Sequence, residues 1–428
     1  MPGINRVLMC RTRPVLEFEY FQYGGYALRC GRVFDPARVP VGMYVDGKPT
    51  PDGVSITRWW RGRGIPATRD GLAGILGAAG VPTTSGMLDR SLGLSLSDQY
   101  WVRPTDRDDL DWHAINFFHN DFDERLGRAL MAGNPSDTLD MNTPDVTSAG
   151  DLPKRWTVQA DGTRSLVKAG RTGQEPDNER IAYLTAKQLG IPHIEYRVAT
   201  SRGVRVSVCD DMLTDRQELI PGGQIIRLFP ENPDPRDARS QWINACHRLG
   251  VPLDQADRAT DDFLLLDFLL RDTDRHYNNI SLIRDVETLQ TTPAPIYDSG
   301  ASLWNGMDPD LIDNSDYPAK PFRLDTAGDK PNALWQLSLV KDWDRYDLHV
   351  LDRIPDIARD QLSHNGRLSD KLIGQIALTL KDRTRIIRDM RDHATRRHTT
   401  SPAQPLPMPD PAQPAAGPQA NPPAARLG

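Results

Sequence analysis

Apolar residues are densest over residues 259–270, where Phe263, Leu264, Leu265, Leu266, Phe268, Leu269 and Leu270 occupy nearly every face of a helical wheel. Such a stretch predicts a helix enclosed on all sides by a large domain. Alternation of period two predicts strands elsewhere. Residues 15–20 and 26–32 flank the Gly24-Gly25 turn and form a small sheet near the start. Residues 154–159 and 165–168 flank Asp161-Gly162 as a hairpin. Residues 196–199 and 203–208, then 280–283 and 294–297, supply further short strands. Helical patterns surround Trp59 and Trp60 up to the break at Pro66, and continue to a glycine stop at Gly80. Asn178 and Glu179 open another helix, which runs through Leu189 to a stop at Gly190, with Pro192 beyond. The spans 333–340, 348–362 and 368–390 read as helices with apolar faces. The paired tryptophans serve better as core than as a docking surface, because large aromatics mostly fill the cores of small domains.

Between these elements, the polar stretch 135–144 predicts a linker. From residue 397 onward the chain is rich in Pro and Ala and poor in large apolar residues, so it cannot build a core and is expected to be disordered. The pattern divides the 428 residues into an N-terminal accessory domain (1–130), a small lobe (145–212), a mainly helical large lobe (213–396) and the tail (397–428).

Composition narrows the function classes. A net charge of −6 argues against an obligatory nucleic-acid partner. Cys10, Cys30, Cys209 and Cys246 are widely spaced and lack neighbouring histidines, so neither zinc nor a disulfide framework is expected. A reducing cytoplasm suits them. No stretch has the apolar length of a signal peptide core or a membrane span, so no membrane partner is expected.

The chemistry concentrates after the apolar helix, where Asp272, Asp274, Arg275, His276, Asn278 and Asn279 crowd one loop. Asp274 and Asn279 have the DxxxxN spacing of kinase catalytic loops, in which the Asp accepts a hydroxyl proton and the Asn oxygen holds magnesium. Asp298 would return beside Asn279 at the end of a hairpin, with Ser299-Gly300 allowing a sharp turn. Upstream, residues 145–150 (DVTSAG) precede the hairpin as a phosphate-covering loop, with Ser148, Ala149 and Gly150 nearest the nucleotide. Lysine supplies only nine of the 52 basic residues, so Lys168 at a strand end points to a compact ammonium reaching for phosphate oxygens. Glu179 is either the partner of that lysine or an acid suited to a helix N-terminus. Residues 208–212 would connect the lobes, with Val208, Cys209, Asp211 and Met212 around an adenine ring and Cys209 a small apolar wall rather than a nucleophile. No GxxxxGK element occurs, which disfavours a Walker-type site. The last helix carries Lys381, Arg383, Arg385, Arg388 and Arg391, best read as a solvated face.

DTDRHYNN followed by PIYDSG, together with TSAGDLPKRW, RSLVKAG and Lys320-Pro321-Phe322, resembles the corresponding segments of HipA-like serine/threonine kinases. The WWxxRxIP and SLSDQYW segments are similar to the region ahead of the kinase domain in a Gram-positive and actinobacterial branch of that family. The resemblance implies an α+β, bilobal protein-kinase-like fold with a small N-terminal accessory domain. It makes Asp274 the general base, Asn279 and Asp298 the metal ligands, and places His276 near the transferring phosphate or as a brace of the loop. ATP and Mg2+ would be the cofactors and a protein serine or threonine the acceptor. It further implies a toxin role with an antitoxin protein as partner, and makes Thr147 and Ser148 candidates for inactivating phosphorylation. The chain lacks an HRD motif, a DFG phenylalanine and a full glycine-rich loop. Two rival functions therefore stand: a lipid or small-molecule kinase, since DRHxxN is shared with lipid kinases, and a non-catalytic nucleotide-binding regulator.

Overall fold

The computed structural model describes residues 3–400, apart from 23–24, 70, 133–138, 230–233, 235–236, 323–331 and the side chains of 397–400. Of the expected disordered tail, residues 401–428 lie outside the described residues, as do residues 135–138 of the expected linker, while residues 397–400 continue the last helix.

The chain opens on an antiparallel sheet of order β3-β2-β1-β4. Its strands are β1 (Ile4–Cys10), β2 (Arg13–Phe21), β3 (Tyr26–Val33) and β4 (Tyr100–Pro104). The alternation had predicted β2 and β3. β1 is an addition, because only its second half is buried and its pattern is short. Helix α1 (Gly53–Gly62) lies on this sheet, started by a capping box between Asp52 and Ser55. Helices α2 (Leu72–Ala79) and α3 (Thr84–Arg90) follow, the former closed by left-handed Gly80. Trp59 and Trp60 are buried in the core of this layer with Tyr20, Leu72 and Tyr100. Short helices α4 (Trp112–Ile115) and α5 (Arg125–Ala132) lead out of it.

A second antiparallel sheet has the order β5-β6-β8-β7, from β5 (Lys154–Val158), β6 (Arg164–Ala169), β7 (Arg197–Ser201) and β8 (Val204–Asp210). Helix α6 spans Glu175–Leu189. It starts three residues earlier than the sequence predicts, because Pro176 fits the first turn and Glu175 folds back to accept the backbone N–H groups of Arg171, Thr172 and Gly173. β8 also runs further than expected. Val208 pairs with Val167 and Arg197, and Cys209 with Leu166, so both are inner-strand residues and the connector between lobes begins only at Asp211.

The rest is mainly helical around one apolar cluster, with a third sheet of order β11-β10-β9 from β9 (Gln217–Pro221), β10 (Ser281–Asp285) and β11 (Thr291–Pro293). Helix α7 (Gly222–Ile225) leads to α8 (Ala238–Arg248) and α9 (Leu253–Leu270), the predicted apolar post. The acids on this post are each paired: Asp261 with Arg239, Asp262 with Arg345 and Tyr346, and Asp267 with Arg275. Such pairing is what makes a buried carboxylate tolerable. The expected strand 294–297 does not extend the hairpin. Instead Ile296 bonds the 192–194 segment, donating to the Pro192 carbonyl and accepting from the Ile194 amide, which brings Asp298 toward α6 rather than toward β10. Helix α10 (Ala333–Leu337) is shorter than predicted. The 348–362 stretch begins as a 3-10 turn, Leu348–Arg353, before α11 (Ile354–Ser363), whose first turn holds Pro355. Helix α12 (Asp370–Thr400) closes the lobe. Among the described residues no helix is long and apolar enough to cross a membrane, and the four cysteines are free.

Candidate active site

Helix α9 ends at Arg271, whose left-handed backbone (φ 55°) turns the chain into the polar loop. The loop is then gathered by Arg275, whose side chain is only 1% exposed. Its guanidinium donates to Asp267 at the end of α9, to Asp272 Oδ2 (3.0 Å), to the Asn279 carbonyl (3.1 Å), to the Tyr297 carbonyl and to Ser299 Oγ (2.9 Å). Burial would weaken this cation, but Asp267 and Asp272 override it and hold Arg275 charged. One side chain thus ties the segment carrying Asp274 and Asn279 to the segment carrying Asp298.

Within the loop, the Asp274 amide donates to Asp272 Oδ1 (2.8 Å), and Asn279 Nδ2 donates to the Asp274 carbonyl (3.0 Å). The second bond fixes the amide of Asn279 with its oxygen as the free end. His276 braces the loop through its main chain, its N–H meeting the Asp274 carbonyl and its carbonyl receiving the Asn279 N–H. Its ring Nδ1 is buried without a hydrogen-bond partner among the described residues. Asp274 is half-exposed, and one of its oxygens accepts from Lys320 Nζ at 2.7 Å.

Lys168 stands above this floor. Its Nζ donates to Glu179 Oε1 and to Asp298 Oδ1, both at 2.6 Å, and lies 5.5 Å from the Tyr196 ring centroid. Glu179 sits one turn inside α6, so the pairing with the strand lysine, not the helix N-terminus, accounts for it. Burial pushes against the charges of both Lys168 and Asp298. Their mutual attraction wins, raising the Lys168 ammonium, while Lys168 and Lys154 hold the Asp298 carboxyl well below the usual carboxylate range. The sharp turn expected at Gly300 occurs at Asp298 itself (φ 60°). Gly300 serves a different need, since a Cβ there would lie 3.3 Å from Glu175 Cβ on α6. A left-handed Asp is uncommon and concentrates at functional sites.

The loop 145–150 is held from the N-terminal layer. Arg69, 3% exposed, donates to Ser148 Oγ (2.8 Å) and to the carbonyls of Ser148 (2.6 Å), Ala149 and Gly150. Lys154 Nζ also donates to the Ala149 carbonyl, at 2.6 Å. Thr147 Oγ1 bonds the Leu94 carbonyl (3.0 Å), and Thr147 and Ser148 are both buried, while Ala149 and Gly150 are exposed at the tip. Lys154 and Lys168 face each other across β5 and β6, and burial with Lys168 nearby lowers Lys154 to about 8.

Lys168, Glu179 and Asp298 therefore meet directly, and Asn279 and Asp274 adjoin them through Arg275. Val208 does not join the connector. Cys209 is buried with its thiol pushed up to about 12, as suits a wall residue. Asp211 accepts from the Leu213 amide with one oxygen, and burial raises it to about 7 while its other oxygen finds no partner among the described residues. Met212 packs with Leu213 and Trp156 in a small apolar cluster. Sequence reasoning missed Lys154, Arg69 and the junction role of Arg275, and noted Lys320 only within the Lys320-Pro321-Phe322 resemblance, without a role. The rarity of lysine that singled out Lys168 applied equally to Lys154 and Lys320.

Among the described residues no group of three or more His, Cys, Asp and Glu side chains has the geometry to hold a metal ion. Asn279 and Asp298 nonetheless offer hard oxygen donors, an amide oxygen without a hydrogen-bond partner among the described residues and a carboxylate oxygen beyond the Lys168 contact. That donor set fits magnesium, which takes few protein ligands and completes its shell with phosphate and water.

No protein-family model and no curated protein matches this chain at a significant level. Solved structures do. HipA of Shewanella oneidensis MR-1, determined with HipB and operator DNA, aligns with a TM-score of 0.55 at 15% identity, covering 90% of this chain and 99% of that one. The Helicobacter pylori proinflammatory kinase CtkA aligns with a TM-score of 0.48 at 20% identity over 57% of this chain and 95% of that one. By the likeness to HipA, the chain has the α+β, bilobal HipA-like fold.

Proposed function

We propose that this protein is an ATP- and magnesium-dependent serine/threonine protein kinase. The observation that carries the reading is Lys168 Nζ, bonded at 2.6 Å to both Glu179 and Asp298, residues 11 and 130 positions away. A strand lysine fixed by a helix glutamate and facing a metal-binding carboxylate is the arrangement that orients nucleotide phosphates in kinases. Lys168 would hold the phosphates, with Lys154 adding charge beside it and the exposed tip at Ala149 and Gly150 covering them. Asp274 would accept the proton of the acceptor hydroxyl, and its position at the open mouth of the loop leaves room for a protein side chain. Asn279 and Asp298 would hold magnesium, which offsets phosphate charge at the reacting centre. Asp211 and Met212 would border the adenine.

The HipA neighbour was solved with HipB and DNA. By that likeness we extend the reading to a toxin in the cytoplasm restrained by an antitoxin protein. The test is incubation with labelled ATP and magnesium in a cell lysate, wild type against Asp298→Ala. Label on a protein band that disappears with the variant is expected. Label confined to the lipid extract would make the protein a lipid kinase, and no label above the variant would make it a non-catalytic regulator.

A further inference from the structure

A cleft of about 570 Å³ opens between the N-terminal layer and the helical lobe, away from the Lys168 site. Three arginines enter it from three separate elements: Arg58 from α1, Arg227 from the turn after α7, and Arg248 from the end of α8. Arg248 is anchored to the carbonyls of Leu228 (2.6 Å) and Gly47 (3.2 Å). Neither Arg58 nor Arg227 has a carboxylate within ion-pair distance among the described residues, although the Arg58 charge helps to hold the Asp52 carboxyl low, and Arg227 Nε is buried without a hydrogen-bond partner there. Burial and the like charge of Arg58 both disfavour the Arg227 cation. Two acids also line the cleft. Asp52 is occupied as the cap of α1, accepting the Ser55 amide at 2.7 Å, and Asp46 lies in the 45–48 turn. Tyr44 and Phe229 supply aromatic walls. Three guanidinium groups against two carboxylates leave the cleft with an excess of positive charge, and guanidinium groups recognise phosphate with paired N–H donors. The volume falls in the range of small-molecule sites, roughly 300–1,000 Å³.

We propose that this cleft is a second anion site, which takes a nucleotide with its phosphate on Arg58 and Arg227 and its base against Tyr44 and Phe229. The site is independent of the kinase reading. Phe229 also meets Tyr277 edge-on, with ring centroids 6.1 Å apart, so the cleft lies one ring from the catalytic-type loop.

Calorimetric titration of the full chain with AMP and with inorganic phosphate, without magnesium, tests the proposal. In the Lys168→Met background, which removes the phosphate-holding lysine of the proposed kinase site, AMP is expected to bind at least tenfold tighter than inorganic phosphate, and at least tenfold more weakly once Arg58→Gln and Arg227→Gln are added. Arg227→Lys should restore part of the affinity. AMP binding lost in Lys168→Met but kept in the arginine variant would place all nucleotide at the other site and overturn the proposal. Equal affinity for AMP and phosphate would overturn the nucleotide assignment, as would no binding to wild type. If the double variant does not fold, single Arg58→Gln, on an exposed helix position, carries the same comparison.

Discussion

Asp274 is half-exposed, bonded to Lys320 and absent from the apolar clusters, so its removal leaves the packing intact. Asp274→Ala should lower phosphate transfer by roughly a hundredfold or more, as loss of a general base does. Unchanged far-UV circular dichroism with unchanged turnover would remove Asp274 from the mechanism. Asp145 illustrates the opposite case, a carboxyl kept for structure. It is fully buried, accepts the Trp156 amide at 2.7 Å, and burial raises it from 3.8 to about 7. Between those values the folded chain binds more protons at this group than the unfolded chain, so its contribution to stability falls as pH rises from 4 to 7. Asn keeps the acceptor without the charge. The melting temperature of Asp145→Asn minus that of wild type should therefore grow more positive between pH 5 and pH 8, and a constant difference by scanning fluorimetry would refute the burial account.

At the scale of elements, the apolar post, the hairpin and the polar loop were legible because their signals are local. Seven large apolar residues on every face mean a buried helix, and DG between alternating runs means a hairpin. What the sequence left unread was of two kinds. The start of α6 turned on a local side-chain-to-backbone fold of Glu175 over Arg171–Gly173 that carries no periodicity, and the path of 294–297 depended on partners a hundred residues earlier at Pro192 and Ile194. Arg69 carries no motif at all, yet it grips three carbonyls of the loop over the proposed nucleotide site. Arg69→Ala takes the donor away from the buried Ser148 hydroxyl and carbonyl, which costs about 1–3 kcal/mol, while Lys154 still serves the Ala149 carbonyl. Urea unfolding should show that loss, and the ATP KM should rise by roughly tenfold as the loop loses its fixed position. An unchanged KM would show that the loop does not cover nucleotide.

At the scale of the molecule, the layers share their interiors. Val146 and Val286 pack with the core around Trp59 and Trp60, and Val7, Met9 and Trp101 of the first sheet pack with Leu213 and Ile283. Glu218 and Arg284, joined at 2.6 Å in the third sheet, also meet Tyr100 of β4. A chain beginning at residue 131 would expose these surfaces to water. It should aggregate or resist crystallisable folding, and a monodisperse, protease-resistant fragment by size-exclusion chromatography would show that the lobes stand without the first layer.

The junction at Arg275 has a consequence for how the protein fails. Because a lone guanidinium joins the stretch bearing Asp274 and Asn279 to the stretch bearing Asp298, those two halves of the floor cannot come apart one contact at a time. Heating or denaturant should extinguish function abruptly, in one step that coincides with release of this keystone, rather than through a graded series of weakened forms.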